Sequence, residues 1–404
     1  MTDGRPRAAG AARAARVALV ASSYDPYVGG VESHVRHVAR QLRRLGTEVE
    51  VWTVDRGEHL GERVLDGVVV RHLPTPMPAR NAGSVVRFAA GAPGAWRRWR
   101  AAQRDFAPDV LHVQCFGPNG AWALALARRT GTPLIVSSHG ETVADDHDAF
   151  GGSALLRRAL TRAIGEAAAT TGCSESVLAD LRTRFGLTAG VVVPNGVDLA
   201  AYPVGPAGPP PLDGDAAPVV LGVGRLEHHK GFDLLVDAVA RLRTERADAA
   251  ARLVLVGGGS QEERLRERAS LLGIGDRFEL TGTLDEAGVD AWLRRAAVVV
   301  VPSRVEAFGI VALEAWRAGT PLVATSLGGP AGFVTEGMDG LLVDPTDERA
   351  LADAIGALLR DPERARRLAS AGLERVRGYD WSDVAAAYAA IHADVLHEPS
   401  HATT

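Results

Sequence analysis

Lysine is nearly absent from this 404-residue chain: of its 45 basic residues only Lys230 is a lysine, and the other 44 are arginines. Arginine fills every ordinary surface role, so the one position that keeps a compact ammonium stands out. Cysteine is equally scarce. Cys115 and Cys173 are too few for a disulfide framework, and they make no zinc site without several well-placed histidines, so a reducing compartment, the cytoplasm, is expected. No apolar run approaches the roughly 18 residues that a membrane-spanning helix needs. Neither sign of charge dominates: the net charge of −4 removes any global positive field toward nucleic acid or lipid headgroups.

Near the start, Arg5, Arg7, Arg13 and Arg16 precede the apolar run Val17 to Ala21, which imitates a secretory leader. The run is too short, and Tyr24 and Asp25 follow closely. Residues 1–15 therefore read as a disordered basic tail and the run as a first strand. With 46% hydrophobic and 23% charged residues the chain is ordinary globular material, long enough for two or three domains with their own cores.

Short apolar runs alternate with longer stretches of helical spacing. Val17 to Ala21, Val49 to Val54, Val68 to Val70, Val110 to Val113 and Leu134 to Val136 are strand-like, while Val31, Val35, Val38 and Leu42 recur at helical spacing. The pattern predicts an α/β fold with a parallel, doubly wound sheet over residues 16–201. Residues 202–218 are rich in proline and glycine and read as a linker. The alternation restarts over 219–380, with strands near Val219 to Val223, Leu253 to Val256, Phe278 to Thr281, Val298 to Val301 and Pro321 to Thr325. From Asp361 to Leu396 the pattern is helical. Two such domains place ligands in a central cleft at the carboxyl ends of their strands.

The first strand is not followed by the Gly-x-Gly-x-x-Gly of dinucleotide folds, and Gly257 and Gly259 lead to Glu262 where a glycine would be needed, so a nicotinamide cofactor is not expected. After Val223 comes Gly224-Arg225-Leu226-Glu227-His228-His229-Lys230-Gly231, a strand end carrying two permanent cations. A diphosphate needs that combination of close backbone approach and positive charge. A second cluster, Pro302 to Glu314, follows a buried run and places Glu306 before a helix expected from Phe308 to Arg317. Glu314 then lies two turns inside that helix. Carboxylates accept hydrogen bonds from hydroxyl pairs such as those of ribose and sugars, and the helix start at Phe308 and Gly309 offers N–H groups to phosphate.

Together these motifs, with Pro194-Asn195-Gly196-Val197-Asp198 and Gly29-Gly30-Val31-Glu32, resemble the signature of retaining family 4 glycosyltransferases of the GT-B fold, the glycogen-synthase and mannosyltransferase-like group. The resemblance implies two Rossmann-like domains, the second binding a nucleotide sugar. It implies that Arg225 and Lys230 bind the donor diphosphate, Glu314 the ribose hydroxyls, and Glu306 with the Phe308-Gly309 backbone the transferred sugar. Gly29 and Gly30, and Gly224 in the second domain, would lie against the phosphates, and His139 near the reacting carbon. Arg225, Lys230, Glu306 and His139 form the expected catalytic set, and residues 381–404 are similar to a last helix that crosses back to the first domain. One stretch departs from the pattern: Gly328 to Phe333 has glycine where many relatives carry glutamate, so Gly332 is assigned no role.

No carboxylate stands out as a nucleophile, and retention in this family is usually explained by same-face substitution. The cationic pair does a metal's work on the leaving diphosphate, so no metal and no cofactor are expected, although Asp146 with Asp148 and Asp213 with Asp215 match short acidic motifs. A UDP-sugar such as UDP-GlcNAc or UDP-glucose is the expected donor on family frequency. On the acceptor side Glu141, Asp145 and Asp146 lie in an acidic loop, which favours a neutral or amino-bearing polyol such as an aminocyclitol, a natural-product type of acceptor. The competing readings are a lipid- or polysaccharide-directed transferase docking residues 85–106 on a membrane surface through Arg97, Arg98, Arg100 and the neighbouring tryptophans, a sugar-nucleotide epimerase, and a non-catalytic sensor. Nucleic-acid binding is not expected.

Overall fold

The computed structural model describes residues 14–27, 29–79, 81–143, 149–200, 217–245 and 251–397. Nearly all of the basic tail and of the linker lies outside them. The first half runs β1 (Arg16–Ala21), α1 (Gly30–Arg44), β2 (Glu48–Val54), β3 (Glu62–Leu65), β4 (Val68–Leu73), α2 (Ala82–Phe106), β5 (Val110–Gln114), α3 (Pro118–Thr130), β6 (Leu134–Ser138), α4 (Ala149–Gly152), α5 (Ala154–Glu166), β7 (Ala169–Gly172), α6 (Glu175–Phe185) and β8 (Val191–Val192). The eight strands form one sheet in the order β3-β4-β2-β1-β5-β6-β7-β8. Strand order reverses beside β1, the position at which open parallel sheets bind ligands.

The second half runs β9 (Val219–Val223), α7 (Phe232–Glu245), β10 (Arg252–Val256), α8 (Glu262–Leu271), β11 (Phe278–Gly282), α9 (Glu286–Arg295), β12 (Val298–Val301), α10 (Ile310–Ala318), β13 (Leu322–Thr325), β14 (Leu341–Val343), α11 (Glu348–Arg360), α12 (Pro362–Arg375) and α13 (Trp381–His397). Its six parallel strands are ordered β11-β10-β9-β12-β13-β14. Val17 to Ala21 and Val298 to Val300 are almost wholly buried, as central strands covered on both faces require.

Four strands carry no long apolar run and escape a reading by periodicity. β3 is an exposed edge, antiparallel to β4 across the tight turn at Asp66 and Gly67, both at positive φ. β7 is Ala-Thr-Thr-Gly, while β8 and β14 have two and three residues. The helix expected from Phe308 begins instead at Ile310, because Gly309 takes a left-handed φ of 94°. Within the helical tail a turn over Val376–Tyr379 separates α12 from α13, and there Val197 N–H donates to the Tyr379 carbonyl at 2.8 Å.

Helix α13 returns to the first domain and packs on α1, with Trp381, Val384, Ala385 and Tyr388 in the same core as β1. In α2, Trp99 is buried with its indole N–H on the Pro74 carbonyl at 3.0 Å, and Phe88 and Trp96 pack against the core. The aromatics of this basic stretch thus face inward, while Arg97, Arg98 and Arg100 are exposed. Among the described residues no helix is long and apolar enough to cross a membrane.

Candidate active site

Two helices start at the cleft without a side-chain cap. Gly29 precedes α1 and Gly309 precedes α10, and neither end receives the side-chain hydrogen bond that Asn81, Ser153, Ser174, Asp285, Asp347 and Asp361 give other helices. A Cβ on Gly30 would lie 3.8 Å from Ile310 Cδ1, so the two helix starts face each other across the domains. The positive dipole ends of both helices point to one region, which the Glu32 carboxylate in the first turn of α1 also borders.

Beside the α10 start, Lys230 Nζ lies 2.8 Å from Glu306 Oε2, which also accepts from Ser303 Oγ at 2.7 Å. Burial alone would raise the Glu306 carboxyl; the Lys230 ammonium, with the hydrogen bonds from Lys230 and Ser303, holds it below its ordinary value. Glycines make this pairing possible. Gly231 has a φ of 67°, and a Cβ there would collide with the Pro302 carbonyl, so only glycine lets the Lys230 turn settle against the end of β12. A Cβ on Gly328 would likewise strike the Glu306 carbonyl, which accepts instead from Gly329 N–H at 2.8 Å. Gly328 and Gly329 thus support Glu306 in the stretch where the sequence reading assigned nothing. After β9 and β10, Gly224 and Gly257 stack so closely that a Cβ on Gly257 would overlap the Gly224 carbonyl. Arg225, next in line, is exposed and makes no side-chain hydrogen bond or ion pair among the described residues.

Glu314 is half-buried in α10 and has no hydrogen-bond partner among the described residues. Burial pushes its carboxyl above the ordinary value, with Arg317 opposing and Glu286 and Asp290 reinforcing. Phe308 stacks on Phe333 at 4.8 Å in the domain core, so its ring is structural and only its backbone faces the helix start.

From the first domain, His139 follows β6 directly. Its Nε2 lies 2.7 Å from Gln114 Oε1, and its ring stands edge-on to His34 at 4.4 Å. Burial lowers its pKa to about 4, so the ring is neutral near pH 7. Glu141, expected to face an acceptor, turns inward: its Oε1 accepts from Phe116 N–H at 2.7 Å, and its Oε2 from His139 N–H at 2.7 Å and Ser138 Oγ at 3.0 Å. The carboxylate braces two loops and is not free for a ligand. Asp145, Asp146 and Asp148 lie outside the described residues.

The domains touch beside this site. Ser174 Oγ donates to the Ala307 carbonyl at 2.6 Å, and a Cβ on Gly140 would collide with Ala307 Cβ. Arg317 also crosses, donating to the Asp198 carbonyl at 3.3 Å, and within the first domain Asn195 Oδ1 meets His34 Nδ1 at 2.8 Å. Periodicity and motif reading passed over Gln114, His34, Ser174 and Ser303, since each is a common residue type whose role depends on a distant partner. Among the described residues no group of three or more His, Cys, Asp or Glu side chains could hold a metal ion.

Residues 28–201 match the family described as Glycosyltransferase Family 4, and residues 212–375 match Glycosyl transferases group 1. Among curated relatives, D-inositol 3-phosphate glycosyltransferase of Frankia alni is 33% identical over 378 residues, 88% of this chain and 92% of that one. Glycogen synthase of Mycobacterium tuberculosis is 31% identical over 402 residues, covering 93% and 94%. Sucrose-phosphate synthase from Thermosynechococcus elongatus superposes with a TM-score of 0.80 at 24% identity over 95% of this chain and 100% of that one, and HepE of Anabaena in complex with UDP-glucose with 0.72 at 20% over 94% and 99%. Two doubly wound domains with the starts of α1 and α10 facing each other, together with these likenesses, agree: the chain belongs to the family 4 glycosyltransferases of the GT-B fold, enzymes that transfer a sugar from a nucleotide sugar.

Proposed function

We propose that this enzyme is a retaining, metal-independent transferase that moves a hexose-type sugar from a UDP-sugar to a polyol hydroxyl. The observation that carries the donor site is the Lys230–Glu306 pair beside the uncapped start of α10, facing the equally uncapped start of α1. A diphosphate in that space meets two helix dipoles, the Lys230 ammonium and the exposed Arg225, which together offset charge growing on the departing group. Glu314 is free to accept the ribose hydroxyls, and Glu306 a hydroxyl of the transferred sugar. His139, neutral near pH 7, acts by hydrogen bonding, not as a titrating base. The acceptor proton passes to the leaving phosphate oxygen as the new bond forms on the face the diphosphate leaves, which retains configuration.

UDP and UDP-glucose in the complexes of HepE support the uridine donor, and the inositol-phosphate relatives support a cyclitol acceptor. With Glu141 turned inward, the acidic-loop argument for an aminocyclitol rests on residues outside those described. The test is a matrix of UDP-glucose, UDP-GlcNAc and a GDP-sugar against inositol, inositol 3-phosphate, an aminocyclitol and glycogen, each with and without EDTA. An α-linked cyclitol product from a UDP-sugar, unaffected by EDTA, is expected. Inversion of the anomeric centre, loss of activity in EDTA, or turnover of donor to its epimer without acceptor each overturns a stated part of the reading.

A further inference from the structure

Behind His139 runs a row of buried polar side chains that the transfer chemistry does not itself use. His112 and Gln114 point to the same face of β5, both fully buried. Gln114 Oε1 meets His139 Nε2 at 2.7 Å, Gln114 Nε2 meets His112 Nε2 at 3.0 Å, and His112 Nδ1 meets His392 Nε2 on α13 at 3.0 Å. Ser137 Oγ joins at 2.7 Å from His112 Nε2, and links on to Thr171 Oγ1 at 2.6 Å. An apolar row would fill this space without the desolvation that each buried polar group carries.

With the Gln114 amide oxygen turned toward His139, the row takes a definite proton order. In that orientation the amide oxygen accepts, His139 Nε2 carries the hydrogen, and the neutral ring keeps a lone pair on Nδ1. An amide nitrogen only donates, so His112 accepts at Nε2 and donates from Nδ1 to His392. His139 is only partly covered, Nε2 is turned inward to Gln114, and Nδ1 has no hydrogen-bond partner among the described residues. The titratable groups around His139 are His34 from α1, Glu141 in its own loop, His112 from β5 and, behind that, His392 and Tyr388 from α13, the Tyr388 hydroxyl lying against Gln114, Ser137 and Thr171. His34 is itself held by Asn195, and Glu141 binds the His139 backbone.

We propose that Gln114 is a positioning residue of the transfer reaction: its amide oxygen holds His139 in the Nε2–H tautomer, so that Nδ1 accepts a hydrogen bond from a substrate hydroxyl. The inference rests on the reading of His139 given above. The crossing helix α13 then takes part in the site through His392, at the far end of the chain.

Nitrogen-15 NMR of the imidazole rings, with steady-state kinetics, tests it on the full-length enzyme. Wild type is expected to show His139 as the Nε2–H tautomer. Gln114→Met, similar in length but with no oxygen, is expected to mix the tautomers and lower kcat by about 10- to 100-fold while leaving donor KM and the UDP-induced thermal shift in place. Gln114→Glu keeps an acceptor at that point; it is expected to restore the tautomer and most of kcat, and to move the acidic limb of the kcat–pH profile upward, since a carboxylate beside the ring favours the imidazolium. A wild-type Nδ1–H tautomer, full kcat in a folded Gln114→Met, or a fall in kcat with the tautomer unchanged would each overturn the proposal. Unchanged kcat in His139→Ala would instead remove the underlying reading of His139, and the tautomer measurement tells that failure from a failure of the Gln114 tether.

Discussion

Lys230→Ala removes one function and exposes another, and pH separates the two. In the folded chain the ammonium lies 2.8 Å from Glu306 Oε2, with 23% of the lysine side chain and 9% of the glutamate side chain exposed. Breaking a fully buried pair by deleting one partner costs about 3–5 kcal/mol. The partial exposure of Lys230 and the surviving Ser303 contact lower that to about 1–3 kcal/mol, the range for a buried polar group that loses its partner. For domains of this size the loss is roughly 2–10 °C in Tm at pH 7. In wild type the folded Glu306 pKa is depressed, so its contribution is present above the unfolded value near about 4.3 and is lost as pH falls through the lower folded value. In the variant, burial is opposed only by Ser303 and the nearby His229 and raises the carboxyl, so its ionised form destabilises the fold near neutrality and protonation relieves it in acid. The Tm gap between the two proteins therefore widens from pH 4.5 to pH 7.5, values set at roughly the two sides of this titration. The diphosphate loses a charge-assisted contact worth about 1.5–3 kcal/mol, or roughly 10- to 150-fold in Kd. With UDP at about 100 times the wild-type Kd, wild type gains about 2.7 kcal/mol and a variant weakened about 100-fold gains only about 0.4 kcal/mol. Thermal unfolding across that pH range, with and without UDP, reads both effects. A Tm gap independent of pH refutes the pairing argument, and a full UDP shift in Lys230→Ala refutes the placement of the diphosphate.

Three further outcomes follow from the same geometry. Glu314→Gln removes a carboxylate whose raised folded pKa makes its ionisation unfavourable above the unfolded value, so at pH 7 apo Tm is expected to hold or rise while donor KM rises about 10-fold; a fall in apo Tm would show a structural partner for that carboxylate. Gly140→Ala meets both a φ of 93° and Ala307 Cβ, so it is expected to cost about 1–2 kcal/mol in backbone strain and to lower kcat by hindering domain contact. Adding Ala307→Gly should recover kcat without recovering Tm, and failure of that rescue in kinetic assays would count against the contact. His139→Ala is expected to lower kcat by about 100-fold with the UDP thermal shift intact, and loss of that shift would move His139 to the donor-binding set.

Much of the fold was legible in the chain because central parallel strands must be apolar along their whole length. Val17 to Ala21 and Val298 to Val301 announce themselves as strands with no knowledge of their neighbours. β3, β7, β8 and β14 do not, being short, polar or half-exposed, and pairing with a neighbour defines them more than composition does. The start of α10 was misread by two residues because Phe308 continues the apolar pattern, whereas the left-handed Gly309 sets the boundary. In the site, Lys230 stood out as the lone lysine and Glu306 and Glu314 by their spacing around a helix start. A carboxylate in a loop such as Glu141 looks available to a ligand from the sequence, whereas in the fold the backbone N–H groups of Phe116 and His139 donate to it.

Sequence by itself determined what is local: the strand and helix periods, the glycines where φ turns positive or backbones touch, and the types of charge at the two strand ends. Only the tertiary structure decided the partners. Lys230 meets Glu306 across 76 residues because β9 and β12 are adjacent strands, and His112 meets His392 across 280 because α13 crosses back over the first sheet. A side chain's chemistry is carried by its own residue, but whether a lysine is free or paired, and which nitrogen of a histidine holds the proton, depends on neighbours that only folding brings within hydrogen-bond distance.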